Sequence, residues 1–132
     1  MSGVHFFVGG EILIATLSHS ENVIAKNVKK AYSFPKRLRG LLFTKSLDPH
    51  SGIHIKPCRS VHTYFMKYPI DIVYLDKQNR IVGLEHFVSP GKRGLHFESA
   101  YSVLELAAGR IEELGLQEGQ PINIKPKGEK AS

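Results

Sequence analysis

A chain of 132 residues with 42% hydrophobic content is long enough to bury one core and too apolar to be disordered throughout. No apolar run approaches the roughly 20 residues of a membrane helix, and the opening MSGVHFFVGGEILIATL lacks the basic flank of a signal peptide. A single cysteine, Cys58, excludes an internal disulfide and fits a reducing, cytoplasmic setting, while a net charge of +6 favours anionic partners.

The elements follow in chain order. Ile12, Leu13, Ile14 and Ala15 read as a strand after the turn signal Gly9-Gly10. Ser18 to Asn22 is turn-forming, and Val23, Ile24 and Val28 continue in a second strand, which makes a hairpin. A short helix is expected from Ser33 or Phe34, with Pro35 in its first turn, where a missing N–H costs nothing. Its apolar side carries Leu38, Leu41, Leu42 and Phe43, and its basic side Lys36, Arg37 and Arg39.

After a loop at 48–52, Ile53 and Ile55 alternate with His54 and Lys56, the pattern of a half-buried strand. Residues 61–65 read as another strand, broken by Pro69. The most strand-like run, 70–75, turns at 76–79 and returns through 80–87. Ser89 to Gly94 is a flexible basic loop. A buried strand at 103–106, a short helix at 110–116 closed by glycine, and a last strand at 121–124 complete the chain. The count is seven or eight short strands and two short helices. Without βαβ alternation a parallel sheet is not expected; a mainly β, antiparallel sandwich or barrel fits, as one domain over 1–132 with loose ends at 1–10 and 125–132.

Chemistry concentrates in 57–76, PCRSVHTYFMKYPIDIVYLD. Cys58, His62 and Met66 are spaced Cys-x3-His-x3-Met, and on one straight strand they would share a face. That thiolate, imidazole and thioether form a soft ligand set suited to copper, with His54, His86 or His96 as a second histidine. Cys58 with His62 could instead act as nucleophile and base, oriented by Asp71 or Asp76, and an enzyme using His62 with Asp71 stays open. Asp71 and Glu105 are carboxylates inside apolar strands, where an unpaired charge is costly. Arg37, Arg39 or Arg59 would supply their partners in an ion-pair network. Lys36, Arg37, Arg39, Lys92 and Arg93 form a surface that nucleic acid would contact.

Four ordered blocks resemble the DUF192 family, also called UPF0127: RLRGLLF at 37–43, the stretch at 57–76, SVLELAAG at 102–109 and LQEGQPI at 116–122. The resemblance spans about 24–124, and the strand after Gly10-Glu11 is similar to the first strand of cytoplasmic bacterial members. It implies a compact β fold of jelly-roll type and no agreed activity, cofactor or substrate. The family's recurrent positions fall on Arg37, Gly40, Met66, Asp71, Glu105 and Gly109. Phe65 and Tyr68 stand where many relatives carry Trp and Asn, and the Pro57-Cys58 and Val61-His62 pairs resemble one branch only. The leading expectation is a small polar ligand in a pocket around Arg37, His62, Met66, Asp71 and Glu105.

Overall fold

The structure, a computed structural model, describes residues 11–20, 22–32, 46–61, 63 and 66–128. Among these residues the fold is one seven-stranded sheet and one short helix. The strands are β1 (Ile12–Leu17), β2 (Val23–Ala31), β3 (Ser51–Ile55), β4 (Ile70–Leu75), β5 (Ile81–Val88), β6 (Ser102–Ala107) and β7 (Ile122–Pro126), and α1 spans Arg110–Leu114. The sheet order is β5-β4-β6-β3-β2-β1-β7. The helix expected near Pro35 lies outside the described residues.

Both expected hairpins form. β1 pairs antiparallel with β2, and β4 with β5. The β4–β5 turn is held by Asp76, whose Oδ1 accepts the amides of Gln78 and Arg80, each at 2.9 Å. One pairing departs from expectation: β2 and β3 run parallel, from Asn27↔Ser51 to Ala31↔Ile55, so the sheet is mixed. The 61–65 stretch also differs, since Val61 and Thr63 belong to no strand. Thr63 fastens the following loop instead. Its amide donates to Lys92 O at 2.7 Å, and its hydroxyl to Ser89 O at 2.6 Å. The basic turn around Lys92 and Arg93 is therefore tied to a buried threonine. At the C-terminal end, Lys125 and Pro126 pair with Ile14 and Leu13 rather than fraying.

The sheet stays open, but a bridge between Arg80 and Pro121 brings its two edges together at one end, giving a barrel-like curl. Alternate residues along the central strands feed two cores. One face carries Leu13, Val28, Val73, Leu75, Leu104 and Leu106, with Ile111 of α1 packed on them. The other carries Ile53, Ile55, Ile70, Ile72, Tyr74 and Val103, with Cys58, Val61, Met66, Tyr68 and Phe97 packed at its margin. Consequently β4 and β6 are buried along their whole lengths. β3 is covered from Gly52 onward, so His54 is buried rather than solvent-facing.

Candidate functional site: the carboxyl face of the sheet

Asp71 and Glu105 look alike in sequence, but the sheet separates them. In the β4–β6 ladder Asp71 pairs with Leu106, whereas Glu105 pairs with Ile72. Directly opposed residues share a face, so the two carboxyls point to opposite sides.

Asp71 is fully buried on the Leu106 side, with no arginine near it among the described ion pairs. Its partners are backbone amides. Oδ1 accepts Phe87 N at 2.9 Å, and Oδ2 accepts Gly109 N at 3.1 Å and Ile111 N at 2.9 Å. The geometry explains the position. Ile70 pairs with Val88 and Ile72 with Glu85, so Asp71 faces a bulge of two residues, His86 and Phe87. Phe87 lies at φ 49, and the bulge turns its amide toward the carboxylate. Gly109 adopts φ 95, open to glycine at little cost, and presents the exposed N–H groups at the start of α1. Asp71 is thus a clamp joining bulge and helix, with both oxygens engaged.

Glu105 is different. It is 6% exposed, and among the described residues it has no hydrogen-bond or ion-pair partner. Its cross-strand neighbours are Ile72 on β4 and Ile53 on β3. Burial pushes its carboxyl up to about 7. Cys58, Met66 and Tyr68 are packed on this same face. Tyr74, also here, donates its hydroxyl to Glu85 Oε1 at 2.7 Å. Burial raises the Tyr74 hydroxyl well above its ordinary range, helped by that hydrogen bond and by the charges of Glu85, Cys58 and Glu105. The structure therefore brings Cys58, Met66, Tyr74 and Glu105 to one side and leaves Asp71 on the other.

The remaining expected residues divide as follows. Arg37 and His62, with Lys36 and Arg39, lie outside the described residues. Cys58 is half-buried; its thiol donates to Ser60 O at 3.1 Å and its amide to Tyr101 O at 2.8 Å. Among the described residues no three His, Cys, Asp or Glu side chains cluster as metal ligands. His86 and His96 are exposed. His54 sits on the Leu104 side of the sheet with both ring nitrogens occupied, Nδ1 by the Tyr32 hydroxyl at 2.7 Å and Nε2 by Ser102 Oγ at 2.9 Å. Burial, with the charge of Lys56 added, pushes its ring down to about 4. Lys92, Arg93 and Arg59 are exposed. Among the described residues no helix is long and apolar enough to cross a membrane.

Sequence reasoning missed two groups. In the sequence Arg110 stands only as the first residue of a helix. It donates to Ile24 O at 2.9 Å and pairs with Glu113, pinning α1 to β2. Glu85 has no local signal beyond its place in a strand; its register with Ile72 puts it on the Glu105 face.

Comparison with known proteins agrees with the fold. The chain is 32% identical over 110 residues to a UPF0127 protein of Thermococcus kodakarensis, covering 78% of this chain and 68% of that one. It is 32% identical over 114 residues to a UPF0127 protein of Thermococcus gammatolerans, covering 80% and 72%. A protein of unknown function from Novosphingobium aromaticivorans shares the fold at a TM-score of 0.72 and 18% identity, over 85% of this chain and 83% of that one. So does a Sinorhizobium meliloti protein, described provisionally as a transcription regulator, at a TM-score of 0.69 and 17% identity, over 87% and 93%. The DUF192 family model, described as "Uncharacterized ACR", matches residues 15–124, and with these relatives it establishes that the chain belongs to the DUF192, or UPF0127, family.

Proposed function

We propose that this domain binds a small polar ligand on the face of its sheet that carries Glu105. The observation that carries the reading is the state of that side chain, a carboxyl 6% exposed among isoleucines with no partner among the described residues. A carboxyl with so little exposure is poorly hydrated, and its ionised form is costly to hold there without a partner. Asp71 shows how the same fold satisfies a carboxylate that serves structure, through three amides. Glu105 has no such provision among the described residues, which is the condition of a group whose partner arrives from outside. Met66, Cys58 and Tyr68 are half-buried on the same face and supply an apolar wall. His62 enters this reading only through its place in the chain between Val61 and Thr63. Asp71 contributes at one remove, by holding β4 and α1 in place.

Thermal-shift screening of a small-molecule library tests the proposal. The expected result is stabilisation of the parent protein by a subset of polar compounds, lost in Glu105→Gln and weakened in Met66→Ala. A library without effect, or hits that survive Glu105→Gln unchanged, would defeat it.

A further inference from the structure

Glu105 belongs to a row of side chains that crosses the sheet. The registers align Glu85 on β5, Ile72 on β4, Glu105 on β6, Ile53 on β3 and Lys29 on β2. Two carboxyls therefore share one face, two strand spacings or about 10 Å apart. Glu85 is engaged, since its Oε1 accepts the Tyr74 hydroxyl at 2.7 Å and Leu95 N at 2.6 Å. Glu105 is not. Among the described residues, the titratable or charged groups on this face are Tyr74, Glu85, Cys58, Tyr68 and Lys29. Tyr74 spends its proton on Glu85, and Cys58 donates to Ser60 O. Lys29 lies beyond Ile53 in the row. Among the described residues Glu105 lacks a donor with positive charge.

We infer that the ligand is an organic cation with paired N–H donors, an amidinium, guanidinium or ammonium group on a small apolar body. The inference rests on the ligand-site reading above and assigns the chemical class for that same site. Two parallel N–H groups match the two oxygens of a carboxylate. A neutral amide would leave the charge uncompensated, and an anion would meet the Glu105 carboxylate directly, with Glu85 and Lys29, of opposite sign, each two strands away. The apolar body finds Met66 and Tyr68 at the margin of the same core, and an aromatic face favours a cation.

The test uses two isosteric series of different size: acetamidine, acetamide and acetate, and benzamidine, benzamide and benzoate. Each compound is titrated at millimolar concentration into isotope-labelled protein, and amide resonances are followed for the parent and for Glu105→Gln. At least one amidine is expected to shift the resonances of Ile53, Ile72 and Glu105 more strongly than its amide, with no response to the matching carboxylate. Because the cation needs the ionised carboxyl, amidine affinity should rise about tenfold per pH unit below about 7 and level off above it. In Glu105→Gln the amidine preference should vanish while the unbound spectrum stays folded. An amide or carboxylate that binds as well as its amidine, still through Glu105, would overturn the cation class and leave the site standing. No response to either series, or responses unchanged in Glu105→Gln, would overturn the site and the class together.

Discussion

Replacing Glu105 with glutamine should stabilise the protein at alkaline pH and leave it unchanged in acid. The parent carboxyl titrates at about 7 when folded, against 4.5 in its ordinary state. Its contribution is intact below about 4.5 and is lost as pH rises through about 7. Each tenfold step is worth about 1.4 kcal/mol, so the loss approaches about 3 kcal/mol above pH 8. His54 runs the other way: it titrates at about 4 when folded against 6.5, so its contribution is intact above 6.5 and is lost as pH falls through about 4. That loss is also about 3 kcal/mol. Between about pH 4.5 and 6.5 the two slopes oppose, and the parent should be nearly flat there apart from its surface groups. Guanidinium unfolding from pH 4.5 to 8.5 measures this directly. Glu105→Gln should match the parent near pH 4.5 and exceed it by up to about 3 kcal/mol at pH 8.5, exposing the rising slope that His54 supplies. A variant whose stability runs parallel to the parent at every pH would refute the reasoning, because it would mean that Glu105 titrates as an ordinary surface carboxyl.

Asp71→Asn keeps the shape but places an NH2 where one of two accepting oxygens stood. With three amides depending on that carboxylate, it should cost about 2–4 kcal/mol in denaturant unfolding, and a loss under 1 kcal/mol would deny the clamp. Gly83→Ala would set a Cβ within 2.7 Å of three ring atoms of Phe97, so a loss of about 1–3 kcal/mol is expected, recovered in part by Phe97→Leu; unchanged stability would show that the ring moves freely. Arg110→Ala removes the link from α1 to the carbonyl of Ile24 and should cost about 1–2 kcal/mol, with faster hydrogen exchange confined to α1 and its neighbours.

The strands were legible because their signals are local. The β-branched run of β4, the turn chemistry of 76–79 and the glycine after α1 each point to one answer within a few residues. Non-local features were not legible. The parallel union of β2 and β3 joins two segments by a long-range pairing that no period in either strand records. His54 broke the alternation expected of β3 because both faces of that strand are covered. Asp71 and Glu105 could be recognised as costly positions but not told apart. Their difference is one of register, a single step in the β4–β6 ladder that sends one carboxyl to the amides of α1 and the other to the opposite face, where it has no hydrogen-bond partner among the described residues. At Asp71 the hydrogen bonds among the described residues come from main-chain N–H groups, which have no signature in a sequence; of the arginines expected beside it, Arg37 and Arg39 lie outside the described residues and Arg59 is exposed.

The meeting of the sheet's two edges has a consequence for how the protein behaves in crowded solution. An open seven-stranded sheet ends in two rows of unpaired backbone groups, each a template on which another chain could add a strand. Here the bridge between Arg80 and Pro121 shields one end of both rows at once. Farther along, β5 is bent by the bulge at Phe87, and β7 finishes in Lys125 and Pro126, a charge and a residue without an N–H. Neither row offers a long flat stretch for a second chain, so the fold resists assembly into fibrous aggregates.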